Sequence, residues 1–135
     1  MRYLLDTNAC VAYLRQPGAP VARKLTMLSP ENVVLCSIVK AELYFGLERS
    51  ERPADNRVAL KAFFAGFASL PFDDQAAEVY GRLRAQLAKR GTPIGPNDLM
   101  IAAIALAYGA TLITHNTREF SRVPNLQLED WEATA

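Results

Sequence analysis

The amino-acid sequence predicts an α/β fold, a three-layer α/β/α sandwich around a central, mostly parallel sheet. Short apolar runs alternate with helical segments along the chain, as expected when helices connect parallel strands. The run 33–36 is apolar throughout, which is typical of a parallel strand that is covered on both faces. The chain has 135 residues, half of them hydrophobic, and we expect one domain over residues 1–135.

The first half of the chain contains clear signals for helix ends. Asp6, Thr7 and Asn8 are residue types that cap helices, and they directly follow the apolar run 3–5. Ser37 is predicted to cap a later helix in the same way. The patterns predict strands at 3–5, 33–36 and 69–72, and helices at 9–15, 19–28, 37–49 and through 58–67.

The second half continues the same alternation. Asp73 is expected to cap a helix that reaches about Arg90 and ends at Gly91. Asn97 and Asp98 are expected to open the next helix. The remaining predicted elements are the apolar helix 99–108, closed by Gly109, the strand 111–114 and an edge strand at 126–128.

Composition excludes several classes of protein. The formal net charge is only +1, so the overall charge does not indicate a nucleic-acid-binding protein. Cys10 and Cys36 lie in apolar stretches without metal-binding spacing, which predicts buried thiols in a reducing compartment. No secretory signal is visible, and the longest apolar run, 99–108, is too short to span a bilayer, so we expect a cytoplasmic protein. His115 is expected to be a partly exposed loop residue rather than a general base.

Four polar residues fall where parallel sheets bind ligands, at the carboxyl ends of the predicted strands. They are Asp6, Glu42, Asp98 and Asn116. Asp6 and Asp98 are equally suited to cap helices. Glu42 is also compatible with a surface position or with pairing to Lys40 or Arg49.

Taken together, the three carboxylates favour a metal site over three separate structural roles. Carboxylates that converge repel one another, and such an arrangement persists where a divalent cation neutralises it. Oxygen ligands without His or Cys select Mg²⁺ or Mn²⁺ over zinc. Such a site activates water and stabilises charge on a phosphate, so phosphodiester hydrolysis is the predicted chemistry.

Four segments of the chain resemble, in order and spacing, the signature blocks of PIN-domain ribonucleases. They are DTN at 6–8, SIVKAELYFG at 37–46, IGPNDLMIA at 94–102 and THNTREF at 114–120. The chain most resembles the VapC toxins of bacterial and archaeal VapBC toxin–antitoxin pairs, and within them the subgroup that cuts initiator tRNA. The resemblance spans nearly the whole chain and implies a PIN-like fold and a metal-dependent endoribonuclease.

The resemblance also implies a role for each matching residue. The implied Mg²⁺ ligands are Asp6, Glu42 and Asp98, and the implied polar supports are Thr7, Ser37 and Thr114. The chain departs from the family pattern at Asn116, which stands where the family usually has a fourth acid. Asn116 is expected to orient water or phosphate, and Glu119 is a candidate to replace the missing charge.

The resemblance implies three partners: an RNA substrate, in particular tRNA, a VapB-type antitoxin, and a second copy of the chain in a homodimer. The candidates to hold an RNA backbone are Arg82, Arg84, Lys89, Arg90 and Arg118. For Arg82 and Arg84 a solvated helix face is the alternative. Two other functions stay open, a metal phosphohydrolase for small phosphate esters and a PIN-like binding module that has lost catalysis, which only Asn116 supports.

Overall fold

The computed structural model describes residues 1–132 and contains one five-stranded sheet. The strands are β1 Tyr3–Leu5, β2 Val33–Cys36, β3 Ala68–Leu70, β4 Thr111–Ile113 and β5 Leu128–Glu129. Their order across the sheet is β3-β2-β1-β4-β5, and every neighbouring pair runs parallel. In the central strand β1, Leu4 pairs with Val34 on one side and with Leu112 on the other.

Seven helices connect and cover the described strands. They are α1 Thr7–Arg15, α2 Pro20–Thr26, α3 Ser37–Glu48, α4 Pro53–Ala65, α5 Asp74–Lys89, α6 Pro96–Tyr108 and α7 Thr117–Phe120, with a 3-10 turn at Pro30–Asn32. Helix α1 contacts α2 and α3, and α3 contacts α4, while α5 packs along α6. Right-handed crossovers place these two groups on opposite faces of the sheet, which confirms the predicted three-layer sandwich. None of the described helices is long and apolar enough to cross a membrane.

The core lies on both faces of the central strands. All four residues of β2 and all three of β4 are buried, as the continuous apolar runs predicted. Helix α6 is completely enclosed over residues 101–105. Cys10 and Cys36 are free and buried, and burial raises the pKa of both thiols, that of Cys36 to about 11. Both cysteines therefore act as apolar core residues.

Several predicted boundaries were wrong, each for a local reason. Strand β3 ends at Leu70 instead of continuing to Phe72, because Pro71 has no N–H to donate to the neighbouring strand. Helix α7 was not predicted, since four residues are too few to show helical periodicity. Strand β5 comprises Leu128–Glu129 rather than 126–128. Gly91 and Gly109 follow their helices with φ of 70° and 65°, so both predicted helix ends are confirmed.

The topology fixes where a ligand-binding crevice forms. From β1 the chain crosses to β2, whereas from β4 it crosses to β5 in the opposite direction. The two adjacent strands β1 and β4 therefore form the switch point of the sheet, beyond whose carboxyl ends ligands bind in open α/β folds. The backbone N–H of Asp6 donates to the Ile113 carbonyl at 3.0 Å, which fastens these two strand ends together.

Candidate active site

Asp6 lies at the end of β1 and is 4% exposed. Its Oδ1 accepts the Ala9 N–H at 2.8 Å, so the predicted cap of α1 is confirmed. Burial raises the pKa of Asp6 to about 6, although the Thr114 hydroxyl and the Ala9 N–H oppose the rise. Capping requires only one acceptor oxygen and no charge, so it does not explain a carboxylate buried beside other acids.

Glu42 lies in the second turn of α3 and is half-buried. The Thr7 hydroxyl donates to Glu42 Oε1 at 2.5 Å, and the Asn97 amide reaches Oε2 at 3.5 Å. The suggested partners point elsewhere, because Lys40 lies over the Phe64 ring and Arg49 over the Phe45 ring. Thr7 thus orients Glu42 through this hydrogen bond. Its supporting role in the site stays a prediction.

Asp98 is the third residue of α6 and lies half-buried at its N-terminus. Burial, together with the charges of Glu119, Glu42 and Asp6, raises the pKa of Asp98 to about 6. The prediction that Asn97 caps this helix was wrong, because α6 begins at Pro96 and its N-cap is Gly95. Asn97 is left to contact Glu42 instead, which joins α6 to α3 at the carboxylates.

Glu119 brings a fourth carboxylate to this edge. Its Oε2 accepts the Asn116 amide N–H at 2.9 Å, and its Oε1 accepts the Gly95 N–H at 3.2 Å. The Asn116 backbone N–H donates in turn to Thr114 Oγ1 at 3.0 Å. Thr114 therefore positions both Asn116 and Asp6, while Glu119 links Asn116 to the loop that precedes Asp98.

Ser37 does not join this network. It is exposed at the first position of α3, and the N-cap of that helix is Cys36, which makes no side-chain capping bond. The prediction that Ser37 caps α3 was therefore wrong. Its supporting role in the site stays a prediction.

The carboxylates lie near one another but do not form a tight cluster. Within residues 1–132, the one set of three acidic, His or Cys side chains whose ligand atoms all lie within 4.8 Å is His115, Asp130 and Glu132. Asp6, Glu42 and Asp98 are spaced more widely, yet near enough for charge to raise the pKa of Asp6 and of Asp98. This donor set fits Mg²⁺, which retains several waters and is held by one or two carboxylates directly.

The C-terminal segment adds residues that sequence reasoning missed. His115 is exposed, as predicted, and its Nδ1 lies 3.0 Å from Asp130 Oδ2, whose charge raises the pKa of the imidazole. Asp130 also accepts the Glu132 N–H at 2.9 Å. The charge of Glu132 contributes to the raised pKa of Asp6. No motif marks these acids, and only the pairing of β5 with β4 brings them to the site.

The predicted basic residues lie at the protein surface. Arg82, Arg84, Lys89, Arg90 and Arg118 are all exposed. Arg84 donates to the Tyr80 hydroxyl at 2.9 Å, which holds it against α5. Lys89 and Arg90 end α5 and lead into the loop whose Gly95 N–H contacts Glu119. Arg118 lies within α7, next to Glu119 in sequence.

A parallel 3-2-1-4-5 sheet with acids beyond its central strands defines the class of protein: the PIN domain family matches residues 3–126, and the chain belongs to it. Its relatives within the family are VapC ribonucleases. The chain is 39% identical over 133 residues to Ribonuclease VapC2 of Rickettsia felis, which covers 98% of this chain and 99% of the relative. It is 36% identical over 131 residues to the tRNA(fMet)-specific endonuclease VapC of Salmonella typhimurium, and this match covers 97% of this chain and 98% of the relative.

The fold agrees with a solved relative. The crystal structure of VapBC2 from Rickettsia felis bound to a DNA fragment from its promoter matches with a TM-score of 0.91 at 39% identity. The match covers 97% of this chain and 99% of that chain. The resemblance to PIN-domain VapC proteins read from the four sequence segments is thus confirmed.

Proposed function

We propose that this protein is a metal-dependent endoribonuclease, the toxin of a type II toxin–antitoxin pair, which hydrolyses RNA phosphodiester bonds in the cytoplasm. The observation that carries the proposal is the group of acidic residues beyond β1 and β4, namely Asp6, Glu42, Asp98 and Glu119. Burial and neighbouring charges raise the pKa of Asp6 and of Asp98 to about 6. Such mutual repulsion is costly unless a cation offsets it. Relatives named ribonuclease support the same activity.

The roles follow from chemistry of the side chains. Asp6, Glu42 and Asp98 hold Mg²⁺, or Mn²⁺, which when bound activates a water and neutralises the phosphate. Thr7 fixes the carboxylate of Glu42 by its hydrogen bond. The amide of Asn116, oriented by Glu119, is available through its oxygen to position a water.

Glu119 bears on the alternative of a binding module without catalysis. That alternative depended on the neutral Asn116 in place of a fourth acid. Glu119 contacts Asn116 directly and raises the pKa of Asp98, so it supplies negative charge at this position. The carboxylate count thus favours the enzyme.

The substrate is proposed to be tRNA, in particular initiator tRNA, because the Salmonella typhimurium relative is named a tRNA(fMet)-specific endonuclease. The exposed cations of α5 and α7 are suited to hold the phosphates of a folded RNA. They are Arg82, Arg84, Lys89, Arg90 and Arg118. Phosphate contacts of this kind give affinity and register, whereas sequence selectivity needs base contacts.

A VapB-type antitoxin is the proposed protein partner, since several similar structures are VapBC complexes. A groove of about 390 Å³ between α1, α3 and α4 is suited to an apolar segment of it. Leu43, Leu47 and Leu60 line this groove, and Glu42 stands at its wall, so an occupant reaches the carboxylates. Phe45, 64% exposed on α3, offers further apolar surface for the antitoxin or for the second copy of a homodimer.

The decisive experiment is a divalent-metal titration followed by a cleavage assay on structured RNA. Metal-dependent endonucleolytic cuts are expected. RNA binding without cleavage at any Mg²⁺ or Mn²⁺ concentration would favour the binding module. Hydrolysis of small phosphate esters with no cleavage of RNA would favour the phosphohydrolase.

Replacing Glu42 by glutamine is expected to lower the cleavage rate about ten- to a hundredfold and to raise the Mg²⁺ concentration needed. The change removes one negative charge from the site while leaving an oxygen for the Thr7 hydroxyl. Glu48→Gln is the matched control, because Glu48 lies on the same helix and pairs with Arg57 at the surface. Full activity of Glu42→Gln at saturating Mg²⁺ would remove Glu42 from the metal ligands.

Replacing Asn116 by aspartate is expected to lower the Mg²⁺ concentration for half-maximal cleavage about tenfold, because it adds a fifth negative charge beside Glu119. The maximal rate changes in either direction, since the added charge also repels the substrate phosphate. Asn32→Asp is the control for net charge. It adds the same charge directly before β2, at the amino ends of the strands and so at the other end of the sheet from the carboxylates. Superimposable curves of rate against Mg²⁺ would place Asn116 outside the metal site.

A further inference from the structure

A second cavity lies on the other side of α1 from the groove proposed for the antitoxin. Its volume is about 530 Å³, within the range of sites that enclose small molecules. Val11 and Arg15 line both spaces, so α1 is the wall between them. The opposite side of the cavity is formed by the segment that follows β4, including Asn116.

The cavity adjoins the carboxylates at two points. Asn116 lines it and is hydrogen-bonded to Glu119. Glu132 also lines it and is near enough to raise the pKa of Asp6. A chain of nucleotides whose scissile phosphate lies at the carboxylates therefore has a flanking nucleotide at the mouth of this cavity.

The residues that line this cavity suit both the polar edge and the apolar face of a nucleobase. The amides of Asn8 and Gln16 each offer both a donor and an acceptor, which is what the Watson–Crick edge of a base requires. Val11 and Ala12 give an apolar wall on α1 against which a ring packs. We propose that this cavity receives one unpaired nucleobase next to the scissile phosphate of the RNA and reads its edge; this rests on the proposed endoribonuclease function.

The charges of the lining favour a base over a free phosphate. Arg15 is positively charged, and His115 is positive when it is protonated. The negative charges of Glu132 and of Asp130, which pairs with His115, oppose the binding of an anion inside the cavity. Arg15 remains at the rim for the backbone phosphate.

The described lining of this cavity contains no aromatic residue, and this determines how a bound base is expected to be recognised. Stacking of a base on an aromatic ring is by itself tolerant of sequence. Edge contacts to a splayed-out base instead discriminate among the four bases, and single-stranded RNA loops present bases in that way. The cavity is therefore expected to set a nucleotide preference at one position beside the cut.

The test uses Gln16→Ala and Asn8→Ala, with Gln86→Ala on the exposed face of α5 as the control. Gln16 caps α1 through its backbone N–H, which alanine retains, and Asn8 is exposed, so both variants are expected to fold. The substrates are hairpin RNAs that carry each of the four bases in turn on either side of the bond cut by the parent protein. The readout is kcat/KM for each RNA at saturating Mg²⁺.

The parent protein is expected to prefer one base at one flanking position by about tenfold or more. Gln16→Ala and Asn8→Ala should flatten that preference by lowering kcat/KM for the preferred RNA alone, while Gln86→Ala preserves it. A parent without preference, variants that keep the full preference, or variants equally slow on all RNAs would each overturn the base pocket and leave the ribonuclease proposal standing. A parent that cuts no RNA at any metal concentration would instead overturn both.

Discussion

Replacing Asp98 by asparagine is expected to abolish metal-dependent RNA cleavage, with a loss on the order of a thousandfold or more. Asp98 is the carboxylate on which the other acids converge, since Glu119, Glu42 and Asp6 all raise its pKa. It also stands in the first turn of α6, where the helix dipole favours negative charge. Asparagine keeps the size of the side chain and removes the charge that a divalent cation requires.

Asp55→Asn provides a closely matched control for this prediction. Asp55 is likewise the third residue of a helix that begins with proline, but it is exposed on α4, away from the carboxylates. Its replacement should leave cleavage unchanged. The measurement is the cleavage rate on structured RNA across a Mg²⁺ titration, with circular dichroism to verify folding. Wild-type cleavage rates for Asp98→Asn would contradict the metal site, and unfolding of the variant would assign Asp98 a structural role instead.

The parts of the fold that could be predicted are those encoded by short-range patterns. The run 33–36 is buried on both faces of the sheet and was recognisable because it is apolar without interruption. Helix α6 was recognisable from its apolar length and from Gly109, whose positive φ ends it. These signals depend on neighbouring residues alone, so tertiary contacts did not alter them.

The parts that could not be predicted depend on contacts between distant segments. The edge strand β5 was predicted at 126–128 but comprises Leu128–Glu129, because its bounds are specified by pairing with β4 rather than by its own sequence. Asn97 has the residue type of a helix cap, yet it contacts Glu42, 55 positions away in the chain. Local propensity predicts what a residue suits, and the tertiary structure decides which partner it meets.

The residues of the candidate site likewise fall into those that the sequence could place and those that it could not. Asp6 follows a strand, and carboxyl ends of parallel strands share one edge, so sequence and topology together were enough to place it. Glu119 and Glu132 have no such marker. Glu119 reaches the site through the unpredicted helix α7, and Glu132 lies in the segment that follows β5. Both therefore appear only when the strands are assembled.

In the presence of a chelator, Asp6→Asn is expected to be more stable than the parent protein at neutral pH. The pKa of Asp6 is about 6 in the folded protein against 3.8 for the free side chain, because burial disfavours its charged form. The folded state thus binds a proton more tightly than the unfolded state, and the stability that this proton contributes is present below about pH 4 and is lost as pH rises to about 6. Two pKa units correspond to about 3 kcal/mol.

Asparagine removes this penalty and keeps the cap, since its side-chain oxygen still accepts the Ala9 N–H. The free energy of unfolding of Asp6→Asn, measured with denaturant in chelator, should therefore equal that of the parent near pH 4 and exceed it by about 2 to 3 kcal/mol at pH 8. Added Mg²⁺ should stabilise the parent at pH 8 and leave the variant nearly unchanged, because only the parent retains the full charge that attracts the ion.

Asp73→Asn is the control for this prediction, because Asp73 caps α5 with the same geometry, its Oδ1 accepting the Ala76 N–H at 3.0 Å. The Tyr108 hydroxyl donates to the carboxylate of Asp73 and lowers its pKa. The folded state therefore favours the charged form of Asp73, and this stabilisation is present above the ordinary pKa of an aspartate. Asp73→Asn should consequently be less stable than the parent at pH 8, the opposite sign to Asp6→Asn. A loss of stability in both variants would mean that Asp6 is charged for the sake of the cap alone, and the repulsion that calls for a metal ion would be absent.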